Sequence, residues 1–221
     1  MSLIRTPQTP WQPQGTVYGP LLNFRREWDL WSPRMAQDPY KAAPNAPVLY
    51  VKSANTFNPR AQLVLQDGIL EVDIGATVGV VLGANGQPQA ALLLNDWAVP
   101  HSSYYRPPVK FRCRDGYLGL GELRDWADLD VAAWTLRVSC NGELVQSVDF
   151  AQLKRPLAQL LAEVAAFMTL QEGDVLMLGT DCLPDGTRPR ARAGDTVRIE
   201  APGFAPFSQT VVADATHGGA A

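Results

Sequence analysis

Short apolar runs separated by glycine, proline and polar residues make up most of the chain. Runs of about four to eight residues that are rich in Val, Ile and Leu and end at turn residues are typical of β-strands. Asn141 and Gly142 lie between two such runs and predict a tight hairpin. After an apolar run at 17–22, the pattern predicts strands at 48–51, 63–65, 69–72, 77–82, 90–99, 131–140, 143–148, 175–178, 196–200 and 207–212.

Two segments have the three- and four-residue apolar spacing of a helix that packs on one face. The first, residues 23–35, predicts a short amphipathic helix. The second predicts one long helix, which begins with Asp149 as its N-cap, runs to about residue 170 and stops before Gly173. Many strands and few helices together indicate an α+β protein that is mainly β.

Length and composition bound the possible classes of protein. With 221 residues, 46% of them apolar, we expect a flexible arm at 1–14, one domain at 15–212 and a disordered tail at 213–221. Scattered basic residues and a net charge of −3 disfavour a nucleic-acid surface. No apolar run approaches the roughly 18 residues that span a bilayer. We therefore expect no membrane partner and, without an apolar signal core near the start, a cytoplasmic location.

Eight short motifs, in a fixed order between about residues 15 and 212, resemble the fumarylacetoacetate hydrolase family. They are Leu-Asn-Phe-Arg at 22–25, Val-Lys-Ser-Ala-Asn-Thr at 51–56, Asn-Asp-Trp-Ala at 95–98, Arg-Asp-Gly-Tyr at 114–117, Asn-Gly-Glu at 141–143, Leu-Gln-Glu-Gly-Asp at 170–174, Gly-Thr at 179–180 and Gly-Asp at 194–195. The resemblance implies a mixed β-sandwich roll with one long helix and short helices. It implies short 2-oxo or 2-hydroxy-dienoic dicarboxylates as substrates.

A narrower resemblance is to the N-terminal halves of two-domain isomerase/decarboxylases of 4-hydroxyphenylacetate (homoprotocatechuate) breakdown. Pro-Tyr-Lys-Ala at 39–42, Tyr-Arg-Pro at 105–107 and Cys-Arg-Asp-Gly at 113–116 carry it. The resemblance implies that this chain assembles with a homologous, metal-bearing subunit, with copies of itself, or with both.

The magnesium or manganese site of the family is altered in this chain. Metal-dependent members have two glutamates, one residue apart, and an aspartate; the matching positions here are Gly75, Thr77 and Asp96. One carboxylate and one hydroxyl are a poor ligand set for a hard divalent cation, so we expect no cofactor in this chain. Glu71 and Asp73 lie on the same strand and leave open a rebuilt site, although they are about 13 Å further along it.

The resemblance implies catalytic roles for four side chains. Lys52 follows a strand, Asp96 is the remaining family acid, and Arg112 takes the place of a family lysine that meets the substrate. His101 lies where relatives often have an aspartate and is an acid/base candidate. Three of them have a plainer alternative: Lys52 as a strand-edge lysine, Asp96 as a turn or capping aspartate, and His101 as a structural or solvated loop histidine.

Three further residues are predicted to bind the substrate. Tyr105 and Arg106 belong to the Tyr-Arg-Pro loop and are candidates for the distal carboxylate, and Thr180 belongs to the family's Gly-Thr turn. An ordinary solvated loop remains the alternative for all three. Hydrolysis of the fumarylacetoacetate type is disfavoured, because Glu27 stands where the hydrolases carry the histidine that activates water.

Proton transfer is the chemistry that these residues favour. Decarboxylation of a 2-oxo-enedioate needs an electron sink, whereas moving a proton along a dienol needs an acid/base group and cations around an enolate oxygen. The sequence therefore predicts the isomerase half of a 5-oxopent-3-ene-1,2,5-tricarboxylate decarboxylase/2-hydroxyhepta-2,4-diene-1,7-dioate isomerase. A catalytically degenerate subunit that supports a metal-bearing paralogue, and a family member acting on another 2-oxo-dicarboxylate, remain alternatives.

Overall fold

Strands account for most of the regular structure in the computed structural model, which describes residues 10–101, 108–129 and 134–214. The strands are β1 Val17–Leu21, β2 Val48–Lys52, β3 Phe57–Asn58, β4 Gln62–Leu65, β5 Glu71–Asp73, β6 Ala76–Leu82, β7 Pro88–Asp96, β8 Leu118–Leu120, β9 Arg124–Asp125, β10 Thr135–Cys140, β11 Glu143–Asp149, β12 Val175–Met177, β13 Arg190–Arg192, β14 Thr196–Glu200 and β15 Phe207–Ala213. The α-helices are α1 Arg25–Trp31, α2 Val109–Arg112 and α3 Leu157–Ala165.

The largest sheet has the strand order β2-β1-β12-β6-β7-β8-β3, with β9 also paired to β7. All seven residues of β6 are buried, as expected for a central strand that is covered on both faces. Val78, Val80 and Leu82 enter one core cluster, while Val81 enters the other. This alternation follows from the two-residue period of a strand.

The large sheet is curled into a roll. Its two edge strands, β2 and β3, are joined by only four residues, 53–56. Five residue steps span at most about 18 Å, so the opposite edges of the sheet must lie close together. Tyr50 of β2 consequently reaches Asp96, the last residue of β7, four strands away in the sheet order.

A second sheet of order β11-β10-β14-β15-β4 and a ribbon of β13 and β5 complete the fold. The indole of Trp134 is buried and meets Phe150 and Phe204 edge-on, with ring centroids 6.1 and 5.7 Å apart. Leu160 and Val164 of α3 belong to the same core cluster. The principal core therefore joins residues of both sheets and of α3.

The prediction of a mainly β, α+β fold is confirmed, and the strand at Thr196–Glu200 has the predicted bounds. The hairpin is also confirmed, because Asn141 and Gly142 both have positive φ, 53° and 86°, as a tight turn of this type requires. The two-residue strands β3 and β9 and the three-residue strands β8 and β13 were not predicted. They are too short to show a period.

The predicted bounds of the long helix are wrong. The helix α3 covers only Leu157–Ala165, and Phe150–Gln152 forms a separate 3₁₀ turn. Asp149 caps that turn, where its side chain accepts a hydrogen bond from the Ala151 amide. Pro156 explains the break, because its ring disfavours a helical residue before it and it has no N–H to donate.

The first predicted helix is shorter than expected as well. Residues 23–35 divide into α1 and a 3₁₀ turn at Arg34–Ala36, with Pro33 between them. Most of the predicted arm and tail, and the start of the strand predicted at 131–140, lie outside the described residues. Within the described part, no helix is long and apolar enough to cross a membrane.

Candidate active site

The closure of the roll brings together three predicted site residues from different elements. Lys52 is the last residue of β2, Asp96 ends β7, and Arg112 ends α2. Tyr50 lies two residues before Lys52 and so projects from the same face of β2. These four side chains form a buried polar cluster, although none lies near another in sequence except Tyr50 and Lys52.

The carboxylate of Asp96 is the centre of this cluster. Its Oδ1 lies 2.9 Å from the Lys52 ammonium, and its Oδ2 lies 2.5 Å from Nη1 of Arg112. The hydroxyl of Tyr50 donates to Oδ2, and Arg112 also lies over the Tyr50 ring, 4.9 Å from its centroid. Burial raises the pKa of Tyr50, which keeps its phenol protonated as the donor.

The protonation states of the cluster follow from its hydrogen bonds. Burial would raise the pKa of Asp96, but Lys52 and Arg112 outweigh burial and hold that pKa below its ordinary value. Burial lowers the pKa of Lys52, and Asp96 opposes the shift. Nζ of Lys52 nevertheless has three acceptors, Asp96 and the carbonyls of Arg112 and Tyr117, which match the three protons of an ammonium group. The cluster therefore holds two cations and one anion.

A cavity of about 420 Å³ lies beside the cluster, and Arg112 is the member of the cluster that lines it. Leu30, Trp31 and Arg34 form another part of the wall, and residues 185–188 with Arg190 form a third. Lys52 and Asp96 are fully buried. The structure therefore brings Lys52, Asp96 and Arg112 together but places only the arginine at the cavity.

His101 also lines the cavity. Its ring is stacked on Phe111 with centroids 4.8 Å apart, and Nδ1 lies 2.9 Å from the Val99 carbonyl. A carbonyl only accepts, so Nδ1 carries the proton and, in the neutral ring, Nε2 is the basic nitrogen. Burial is the largest influence on the pKa of His101 and lowers it from 6.5. The histidine can thus accept a proton at neutral pH.

Thr180 is linked to the cavity through Arg188, a residue that the sequence analysis did not single out. Nη2 of Arg188 donates to the Thr180 hydroxyl at 3.0 Å and to Glu27 at 2.6 Å. The side chains of Glu27 and Arg188 are only 3% and 8% exposed. Glu27 therefore forms a buried ion pair in the place predicted for a water-activating histidine.

The residues at the family's metal-ligand positions do not fit a divalent cation. A Cβ added to Gly75 would lie 2.2 Å from the Asp96 carbonyl oxygen, so this backbone has no room for a side chain there. The hydroxyl of Thr77 donates to the Gly179 carbonyl at 2.6 Å, and Asp96 is engaged by two cations. Magnesium and manganese require several oxygen ligands, and this set offers none that is uncommitted.

Glu71 and Asp73 do not replace the missing ligands. Both are paired with arginines of the neighbouring strand β13: Arg190 lies 2.5 Å from Glu71 and 3.2 Å from Asp73, and Arg192 lies 3.2 Å from Glu71. Across the described ranges, no group of three or more His, Cys, Asp or Glu side chains is placed to hold a metal ion. The two acids of β5 instead form ion pairs with β13 within the two-stranded ribbon.

Two predicted substrate contacts, Tyr105 and Arg106, lie outside the described residues. Tyr50 and Arg188 are the functional candidates that the sequence analysis missed. Tyr50 had a usable signal, because a residue two positions before Lys52 on a strand shares its face. Arg188 lies in an irregular stretch between Gly186 and β13, where no period indicates a direction.

The family model "Fumarylacetoacetate (FAA) hydrolase C-terminal" matches residues 16–212, and the chain belongs to this family. Over 211 residues the chain is 35% identical to the 4-hydroxyphenylacetate degradation bifunctional isomerase/decarboxylase of Salmonella dublin. That alignment covers 91% of this chain and 48% of the relative, so the chain spans about half the length of the curated relatives it matches.

Solved structures share the fold. The 5-carboxymethyl-2-hydroxymuconate delta-isomerase of Mycobacterium smegmatis superposes with a TM-score of 0.71 at 22% identity, covering 90% of this chain and 77% of that one. The 2-hydroxyhepta-2,4-diene-1,7-dioate isomerase of Mycobacterium marinum gives 0.71 at 19% identity, with 91% and 75% covered. The predicted family and its roll are confirmed.

Proposed function

We propose that this chain is a metal-independent proton-transfer isomerase for a short 2-hydroxy-dienoic dicarboxylate, acting as one subunit in 4-hydroxyphenylacetate catabolism. The reaction is that of a 2-hydroxyhepta-2,4-diene-1,7-dioate isomerase, and a homologous metal-bearing subunit would carry the decarboxylation. The observation that carries the proposal is the cavity lined by Arg112 and His101 together. It joins a fixed cation and a neutral histidine in one space, as dienol isomerisation requires.

In this reaction the enol O–H proton leaves and a proton is added to carbon at the far end of the diene. The guanidinium of Arg112 would hold the C2 oxygen as negative charge develops on it, and two of its N–H groups could bind that oxygen together with one oxygen of the C1 carboxylate. Nε2 of His101 would accept and return the proton. The dienolate anion formed after loss of the O–H proton shares its charge between oxygen and carbon. One fixed cation at the oxygen therefore stabilises the anion that both proton transfers have in common.

Lys52 and Asp96 act in this proposal as positioning residues. They are out of reach of the cavity, but Asp96 binds Nη1 of Arg112 and Lys52 binds the Arg112 carbonyl. Both the head and the backbone of the arginine are thus fixed before substrate arrives. Preorganisation of this kind lowers the barrier because little rearrangement is needed when charge develops.

A turnover assay tests the proposal. The purified chain is treated with EDTA and the loss of the conjugated dienol is followed by ultraviolet absorbance, with Arg112→Lys and His101→Gln as variants. We expect EDTA-resistant turnover by the chain alone and a loss of about 100-fold or more in each variant. Arg25→Gln is the matched control, because Arg25 is exposed on α1 and is not among the residues that line the cavity. Turnover that EDTA abolishes would contradict the proposal.

A supporting subunit without activity of its own is the second candidate. The chain covers 48% and 47% of two curated relatives that are named as bifunctional, which supports assembly with a further, homologous unit. Absence of turnover by the chain alone, combined with stimulation of a metal-bearing partner in the same assay, would favour this candidate over the isomerase. Turnover of a different 2-oxo-dicarboxylate would identify the third alternative.

A further inference from the structure

The cationic side chains of the cavity differ in whether a carboxylate matches their charge. Arg188 is paired with Glu27. Arg190 is paired with Glu71 and Asp73, and Arg192 is paired with Glu71. These groups are neutral in sum. The buried cluster contributes Arg112 to the wall of the cavity, where Arg112 and Lys52 both bind the carboxylate of Asp96.

Arg34 is a further positive charge of the cavity lining, and it differs from the other arginines in its partners. It lies on the 3₁₀ turn after α1, lines the same cavity and, among the described residues, has no carboxylate within 4 Å. Its guanidinium lies over the Trp31 ring, 5.4 Å from the centroid, and Trp31 meets Tyr40 edge-on at 6.3 Å. This stacking restricts the arginine before any ligand binds, which reduces the entropy lost on binding.

One carboxylate of the lining lies outside these pairs. Asp185 is exposed, and its Oδ1 accepts hydrogen bonds from the amide and the hydroxyl of Thr187 at 2.9 and 2.7 Å. Arg112 in the interior and Arg34 at the surface thus place two guanidinium groups on the wall of one cavity.

We propose that Arg34 binds the remote carboxylate of a dicarboxylate whose other end is held at Arg112, and so makes the site selective for dianions. This inference rests on the proposed function for the identity of the site. It adds a specificity-determining residue that lies outside the large sheet, on the 3₁₀ turn after α1. A charge-assisted, forked contact from an arginine is strong enough to discriminate a carboxylate from a methyl group by about tenfold or more.

Binding of unreactive probes tests this inference without turnover. Heptanedioate and heptanoate are titrated into the full chain by calorimetry, with intrinsic tryptophan fluorescence as a second signal. We expect wild type to prefer heptanedioate by about tenfold or more. Arg34→Gln should remove most of that preference while leaving heptanoate within about twofold, and Arg34→Lys should restore part of it. Arg25→Gln, an exposed arginine of α1 that is not part of the cavity wall, should behave as wild type.

The outcomes separate this inference from the proposed function. An unchanged preference in Arg34→Gln, or a wild type that prefers neither probe, overturns the role of Arg34 whatever the turnover assay shows. Loss of the preference in Arg34→Gln supports the role, even if the chain proves inactive in the turnover assay. Where turnover is present, the same variant should raise KM for the dicarboxylate by about tenfold and leave kcat within about threefold, because the contact is remote from the reacting atoms.

Discussion

Asp96 does two things at the residue scale: it neutralises buried cations and it fixes Arg112 at the cavity. A buried carboxylate with two cationic partners is costly to remove, because each cation would remain out of water without its counter-ion. The same geometry supports the proposal that the site works without a metal ion. Its oxygens are committed to Lys52, Arg112 and Tyr50.

Replacement of Asp96 should therefore destabilise the fold. We expect Asp96→Asn to lower the free energy of unfolding by about 3–5 kcal/mol, measured by urea denaturation. The exposed pair Arg198–Glu200, with N and O 2.9 Å apart, provides the control, and Glu200→Gln should change stability by less than about 1 kcal/mol. Equal effects of the two substitutions would show that the cluster does not stabilise the core.

The pH dependence of turnover should follow His101. Since burial lowers its pKa from 6.5, the basic form persists down to pH 6.5, and the acidic limb of kcat/KM should lie below that value. The free energy of unfolding should also decrease as the pH falls below 6.5. The unfolded chain takes up the proton first as pH falls through 6.5, so folding is weakened below 6.5 until the folded histidine also titrates.

The His101→Gln variant isolates this effect. Its free energy of unfolding should vary less between pH 6.5 and pH 5 than that of wild type, and its residual turnover should lose the acidic limb. A wild-type limb above pH 6.5, or an unchanged pH profile in the variant, would contradict the role of His101.

Family motifs pointed to side chains that the structure brings together, but not to the position that each one takes. Lys52, Asp96 and Arg112 were all named from sequence, and the structure brings them together. That only Arg112 reaches the cavity could not be predicted, because it depends on how far the sheet curls between β2 and β7. Arg188 was missed because it lies in an irregular segment whose direction is set by tertiary packing, and Arg34 because the helix predicted at 23–35 gives way to a 3₁₀ turn at Arg34–Ala36.

At the scale of elements, local signals succeeded where backbone chemistry is decisive. The Asn141–Gly142 turn was predicted because few residues adopt positive φ. The helix predicted to run from Asp149 to residue 170 was wrong. Its apolar spacing continues through Pro156, but apolar spacing gives no information on a backbone N–H that proline lacks. In this segment the position of the proline, and not the apolar spacing, therefore determines where the helix begins.

The hairpin turn gives a prediction at this scale. Gly142 has φ of 86° and nothing within 4 Å of an added Cβ, so strain in Gly142→Ala would be purely conformational. We expect a loss of about 1 kcal/mol in the free energy of unfolding, measured by denaturant titration. Gly142→Asn should lose less, because asparagine tolerates the left-handed region. Equal losses would point to a cause other than backbone conformation.

For the whole molecule, the roll accounts for the position of the site. Because β2 and β3 close the large sheet, residues from its edge strand, from the end of β7 and from α2 meet at one place. The mainly β class was predictable from punctuation and β-branched runs, whereas the closure itself was implied only by the family resemblance. The match to about half of the curated relatives agrees with the proposal that this chain acts beside a second domain of the same fold.

The central claim is that Arg112, anchored by Asp96, takes the part that a metal ion plays in other family members. Calorimetric titration of Mg²⁺ and Mn²⁺ into the metal-free full chain tests it most directly. The account predicts no stoichiometric binding in the micromolar range, with Asp96→Asn indistinguishable from wild type. One equivalent of either ion bound with micromolar affinity, and lost in Asp96→Asn, would contradict it.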